Sequence, residues 1–389
     1  MADASRMQIG YVVETTFGDV VSGSALQLLP FTTESLDSTS DTMRDPTIRS
    51  DRQTSDVIRT RFTTSGAINH ALRYSAWDAF FLAGIQSDSA WTTLVSYSDK
   101  TTISASSVDN SFNDSASGLY SAGFLINRWI EVRGFTTAAN NGYFKIVSVV
   151  AGKIVVSGGT LVTEDAGDSV TVKMGANIYN GVTCPSYNIE CKYTDITKYL
   201  LYTGMCVEGF NLSIPAAGEV SGAFNFLGSS KTTPTDTVGT SYTAASTNKV
   251  FTGVNNIKAV LENQSTILSD VLDLNFEVKN NLYDRLYVGG GGNVLSIGSG
   301  SLDVTGSMEL YFNDTSIIDK NLDFDTSSLA LVFEDDDGNA YIFDMPRVKY
   351  TQSPSQNPGN NQDIMVNASF ESYMHPTEEV TMRIARFDA

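Results

Sequence analysis

Apolar and polar residues alternate along much of the chain. In LDLNFEV, Leu272, Leu274, Phe276 and Val278 fall on one side and Asp273, Asn275 and Glu277 on the other. A period of two with one polar side predicts a strand in a sheet that is wet on one face. WIEVRGF, GYFKIVSVV, KIVVSG and SVTVKM alternate in the same way, punctuated by Asn140-Asn141-Gly142, Gly152 and Gly158-Gly159, which predict turns. Helical patterning is confined to two short runs, SAWDAFFLAG after Tyr74 and TSIIDKNLDF after Asp314. Ser75 and Thr315 stand where N-caps belong, and Trp77, Phe81, Ile317 and Ile318 would close over a sheet. With Thr, Ser, Val, Ile, Tyr and Phe plentiful and long Ala/Glu/Lys/Leu runs missing, the expected class is all-β.

The pattern repeats. TTSGAINHALRYSAWDAFFL, from Thr63, aligns without a gap on DVTGSMELYFNDTSIIDKNL, from Asp303, so that Ser65-Gly66 meets Thr305-Gly306 and Leu82 meets Leu322. SYNIECKYTDITKYLLY, from Ser186, matches SLALVFEDDDGNAYIFD, from Ser328, and GEVSGAFNFLG, from Gly218, matches QDIMVNASFES, from Gln362. Three blocks in one order predict a duplicated domain. The first pair is displaced by 240 residues and the second by 142, which places 98 extra residues between Leu82 and Ser186. The chain is therefore expected to comprise a discontinuous first domain (1–89 and 184–235), an inserted small β domain (90–183), a linker (236–249) and a second domain (250–389). The linker lies in the Ser/Thr-rich run that starts at Ser229. The insertion, self-contained in its strand pattern, is expected to be partly dispensable.

Charge narrows the function. A formal net charge of −19 argues against wrapping a nucleic acid or an anionic membrane surface, yet suits a surface past which DNA must slide without sticking. The N-terminal residues contain no signal core and no run approaches a membrane span. Three cysteines without framework spacing read as reduced thiols of a cytosolic product, Cys191 and Cys206 as small core residues. The Asn-x-Ser/Thr matches, such as those at Asn263 and Asn313, read as chance in a Ser/Thr-rich chain.

No catalytic machinery emerges, and no enzyme, cofactor or metal is expected. The two histidines, His70 and His375, motivate no triad. His375 with Glu378 and Glu379 reads as a solvated loop, and Cys184, Cys191 and Cys206 match no zinc spacing. EDDDGN, Glu334 to Asn339, lacks the closing acid of a calcium loop and reads as a hairpin with Asp337-Gly338 at its tip. YVGGGGNVLSIGSGS, from Tyr287, has neither the Lys-Ser/Thr nor the helix of a phosphate loop. Its counterpart SDTMRDPTIRSDRQTSD, from Ser40, is a long polar loop with basic residues on an acidic protein. Arg44, Arg49, Arg52 and, just beyond, Arg59 are therefore candidate contacts between subunits.

A resemblance makes these candidate contacts between stacked rings of subunits. MQIGYVVETTFGDV, the following TTESLDSTSDTMRDPTIRSDRQTSDVIRTRFTTSGAINHALRYSAWDAFFLAG, YTDITKYLLYTGMCVEGFNLSIPAAGEVSGAFNFLG, VTGSMELYF, MPRVKYT and NQDIMVNASFE resemble the major tail tube proteins of long, non-contractile-tailed bacteriophages. The resemblance also takes in the inserted NRWIEVRGF and NNGYFKIVSV. It implies tail-tube-type β-sandwich or half-barrel domains, each with a short helix, whose inner sheets join into a barrel. It implies a virion protein assembled in the host bacterial cytoplasm, with tail terminator, tape measure and baseplate proteins as partners and DNA passing through the lumen. Related single-domain subunits close six to a ring, so a two-domain chain would close as a homotrimer with pseudo-sixfold inner symmetry. Asp273, Asn275 and Glu277 are the candidate lumen-facing residues, and the insertion is expected on the tube exterior. The alternative reading is a carbohydrate-binding or adhesive β-sandwich protein; a β-rich glycoside hydrolase is a third.

Overall fold

The computed structural model describes residues 3–263, 266–290, 292–356 and 359–389. Strands dominate it, and the described α-helices reach at most seven residues, Asp78–Gly84 and Ser316–Leu322 being the longest. Among the described residues no helix is long and apolar enough to cross a membrane.

Strand pairing follows one plan in both halves. In the first, antiparallel neighbours run Asp37–Arg44, Val57–Ala71, Ser221–Gly228, Lys198–Pro215, Ser186–Tyr193 and Met7–Val13. In the second they run Val271–Lys279, Asp303–Tyr311, Met365–Ser372, Ala340–Gln352, Thr326–Glu334 and Ile257–Glu262. The halves join edge to edge where Lys198–Pro215 pairs with Val271–Lys279, Asn211 opposite Glu277. Strand Lys198–Pro215 thus belongs to two layers. Its first part pairs with Ser186–Tyr193 and its second crosses to the joined sheet, with a register shift between Val207 and Gly209. Gly209 permits the crossing, because a Cβ there would stand 2.1 Å from the Val278 carbonyl oxygen.

One core lies between the layers. The inner layer contributes Ile68, Phe210, Phe224, Phe276, Met308 and Phe370, and the outer layer Ile189, Leu331, Phe333, Tyr341 and Phe343. Alternation along the inner strands turns their polar residues away from this core. Helix Asp78–Gly84 sits inside it, with Phe81 at 5.2 Å from Phe210 and 5.5 Å from Phe343, so rings of both halves interlock. The two halves therefore share a single core instead of packing as separate globules.

Ser75 does not cap this helix. The chain enters through Trp77, and Ser75 takes φ 57° with its N–H donated to the Tyr341 hydroxyl at 2.9 Å. Asp78 is drawn instead to Tyr341 and Arg386, long-range partners that no local signal announces. Thr315 does occupy the N-cap position of Ser316–Leu322, although its hydroxyl bonds the Asp319 carboxylate and not a backbone amide. The run from Ser229 is not a free tether. Glu190 accepts from the Tyr242 hydroxyl at 2.6 Å and from Thr237 and Val238, and Ser241–Thr243 pairs with Ala25–Leu28.

A separate seven-stranded sheet lies between Val95 and Met174, with its own core of Phe112, Ile130, Val132, Phe144, Ile154 and Val172. It packs on the far side of the outer layer. There Trp129 and Tyr143 meet Leu261, Val332, Ile342 and Phe387, residues that alternate with the core-facing ones. Ala176–Tyr179 runs on into the body, pairing with Arg383–Phe387. At the seam Lys145 Nζ lies 3.0 Å from Asp344 and 3.2 Å from Glu378, and Arg383 lies 2.9 Å from Glu378, all at most 3% exposed. Apolar and charged groups are thus buried together at the seam between the insertion and the body.

His70 lies in the shared core, 4.4 Å from Trp77 and 5.0 Å from Phe224 between ring centroids. Burial among these rings disfavours the imidazolium and pushes its pKa down to about 3. A folded-state pKa below the unfolded value of about 6.5 means that the unfolded chain takes up the proton first. Stability is then retained above about pH 6.5 and lost as pH falls towards 3, by about 1.4 kcal/mol per unit. Denaturant titrations of wild type and His70→Phe between pH 7.5 and 4 should diverge below 6.5. Parallel profiles would rule out this contribution.

Candidate functional site

The inner layer presents a largely polar face to solvent, interrupted at Ala223. One row of paired residues crosses both halves: Thr33, Asn69, Ala223, Asn211, Glu277, Thr305 and Glu371. The next contains Ser221, Ser213, Asn275, Ser307 and Ser369. Where the halves meet, the face forms a shallow trough of about 540 Å³. Asp273, Asn275 and Glu277 all lie on this face, while Leu274, Phe276 and Val278 between them are buried. Asn275 donates to Asp273 at 3.1 Å, and Lys279 pairs with Glu277 at 2.9 Å.

Charge is unevenly spread across it. The first half supplies mainly hydroxyls and amides, with Asp37 opposite Ser65 towards its edge, whereas the second adds Asp273, Glu277, Asp303, Glu309 and Glu371 against Lys279 and Lys349. Alternation in LDLNFEV by itself marks only the acids of one strand. The same alternation in DVTGSMELY and in VNASFES marks Asp303, Glu309 and Glu371, once those strands are known to be neighbours.

At one end of this face the hairpin of Asp37–Arg44 and Val57–Ala71 runs on as an arm. Gly228 pairs with Thr64, so residues 57–63 extend past their inner neighbour, a reach of about 20 Å at the strand rise. Arg44 and Arg59 lie on the arm's two strands, Arg49 and Arg52 in the turn between them, and all four are exposed. Arg49 pairs locally with Asp51 at 2.8 Å, and Arg59 lies over the Phe62 ring. Hydrogen bonds from Ser55 and Thr47 hold the turn at Asp45 and pull that carboxyl down to about 2. The arm is braced by the glycine-rich loop of the second half. Arg61 pairs with Asp284, and the Phe62 N–H donates to the Gly292 carbonyl at 3.2 Å. Gly291 lies outside the described residues.

The other polar motifs are used locally. Asp335 accepts from the Asp337 and Asn339 amides at 2.9 and 2.8 Å and closes the hairpin at Gly338, which takes φ 92°. His375 Nδ1 accepts the Glu378 N–H, and the Glu378 carboxylate is committed to Lys145 and Arg383. Cys191 and Cys206 are buried in strands. Among the described residues no three His, Cys, Asp or Glu gather as metal ligands. What the inner layer offers is an extended polar surface.

A family model described as Phage tail tube protein matches residues 4–372. No curated protein matches the chain.

Proposed function

This chain belongs to the phage tail tube protein family, a structural component of the virion, and from that premise we propose that three copies close into a ring through which DNA passes. The observation that carries the reading is the polar inner face, broken at Ala223, that spans two halves of the same strand plan. Barrel circumference depends on how many strand sets are present, not on how many chains supply them. Two sets per chain in three chains equal six single sets, with fewer association events to close the ring.

In this ring Asp273, Asn275 and Glu277 line the lumen together with Asp303, Glu309 and Glu371. Carboxylates repel phosphates within roughly a Debye length of 8–10 Å, while neutral amides and hydroxyls leave few strong attachment points. The insertion, separated from the polar face by both layers, projects from the exterior once per chain. On this reading the chain divides into 1–89 with 184–235, the insertion at 90–183, whose last strand Ala176–Tyr179 joins the body, the linker at 236–249, and 250–389. Rings stack through the arm that carries Arg44, Arg49, Arg52 and Arg59, and the stack meets the tail terminator, tape measure and baseplate proteins of the tail.

Electron-microscopic reconstruction of tubes grown from the purified protein tests this reading. Threefold rings with pseudo-sixfold inner walls and an acidic lumen are expected. Six chains per ring, or a second half lying outside the inner barrel, would overturn it. Replacing Arg49 and Arg52 by glutamate should lower polymerisation with an unchanged melting temperature. Undiminished assembly would return both to ordinary solvated positions, since an exposed ion pair contributes at most about 1 kcal/mol.

A further inference from the structure

Two of the three cysteines meet where the chain returns from the insertion to the first half. Cys206 lies on Lys198–Pro215 opposite Ser186, one residue before the register shift at which that strand crosses between layers. Cys184 stands two residues ahead of strand Ser186–Tyr193. The segment leading to it runs along the end of helix Asp78–Gly84. There the Gly181 N–H donates to the Ile85 carbonyl and the Thr183 N–H to the Gln86 carbonyl, both at 3.1 Å. So placed, Cys184 accepts a hydrogen bond from the Cys206 thiol. The Ser299 hydroxyl, from the second half, also donates to Cys184 and accepts from Gln86 Nε2 at 2.9 Å.

The two sulfurs differ in access and acidity. Cys206 is 2% exposed, whereas Cys184 is half-buried and borders the exposed Val182, Thr183 and Ser299. The hydrogen bond from Cys206 outweighs burial and holds the Cys184 thiol below the usual range. That same bond, and burial after it, push the Cys206 thiol up. A reachable, readily ionised sulfur beside a sheltered one is the arrangement of an attacking and a resolving cysteine. Cys191 differs: it is 1% exposed, stands opposite Leu200, and burial pushes its thiol up.

We infer that Cys184 and Cys206 form a modification site, a dithiol that a peroxide closes to a disulfide within one chain. The Cys184 thiolate attacks one peroxide oxygen, the O–O bond breaks, and the displaced oxygen leaves as water. The Cys206 sulfur then attacks the Cys184 sulfur. An S–S bond forms, the S–O bond breaks, and a second water carries off the Cys206 proton. The two thiols lose two electrons, and the peroxide is reduced to two waters. Inside a cell, thiol pools keep such a pair reduced; a virion outside it has no such pool. The bond ties the chain's return from the insertion to the crossing strand and restricts the unfolded chain between 184 and 206. This holds however many chains form a ring.

Thiol counting tests the site. The purified chain is treated with dithiothreitol or hydrogen peroxide, unfolded, and labelled with N-ethylmaleimide. The reduced chain should take a label on each of its three cysteines. After peroxide only Cys191 should be labelled, and mass spectrometry should find Cys184 linked to Cys206. Oxidation should raise the melting temperature by about 3–5 °C. Cys184→Ser should abolish the link and the rise, and Cys191→Ser should keep both. More than one label on the peroxide-treated wild type, or a link that runs through Cys191 or between chains, would overturn the site. A linked chain that melts no higher than the reduced one would overturn its bracing role.

Discussion

Replacing Lys145 by methionine should lower the unfolding free energy by about 3–5 kcal/mol, the cost of stranding a buried charge. Lys145 and Arg383 face Asp344 and Glu378 in a cluster of two cations and two anions with almost no solvent contact. Methionine keeps the volume of the lysine stem, so packing is little disturbed. The loss is electrostatic: two carboxylates are left to a single guanidinium in a region where water cannot replace the ammonium. Adding Asp344→Asn restores neutrality and should recover part of the loss. Denaturant titration of the single and double variants measures both steps. An equal loss in the two would show that packing of the lysine, not charge balance, holds the seam.

Phe224→Ala should cost about 3–5 kcal/mol, through lost burial and the cavity left behind. Its ring is fully buried and stands within 5.6 Å of His70, Trp77, Phe80, Phe81 and Phe210, counted between centroids. Helix Asp78–Gly84 packs on this ring and passes the contact on through Phe81 to Phe343 in the second half. The damage should therefore be felt in both halves. Near-ultraviolet circular dichroism and hydrogen exchange should show protection falling in strands Ser221–Gly228 and Ala340–Gln352 together. A variant that loosens only the first half would mean that the two halves are stabilised independently despite their contact.

Much of the strand inventory was legible because alternation is a local property. Leu274, Phe276 and Val278 faced inwards in the pattern and are buried in the fold, with Asp273, Asn275 and Glu277 outward between them. The Asp337-Gly338 tip was also readable, since a tight turn demands a residue that tolerates positive φ. The matched blocks aligned Ser65-Gly66 on Thr305-Gly306, and these positions do lie on strands with the same neighbours in each half. Lys145 was not legible. In GYFKIVSVV it occupies an ordinary polar position, and its partners stand some two hundred residues further on.

Local patterning is enough to show where strands run, which side of each is apolar, and that three blocks recur in order. Those properties follow from backbone geometry and side-chain chemistry within a few residues. Long-range pairing is what carries Lys198–Pro215 between layers and joins it to Val271–Lys279, merging two similar halves into one core. Long-range contacts also deny Ser75 the role of a cap, seal the insertion to the body with buried charges, and leave the arm extending past its inner neighbour. Such features depend on which surfaces meet after distant segments are brought together. Pairing free energy arises only once solvent is excluded between them, so no local pattern records it.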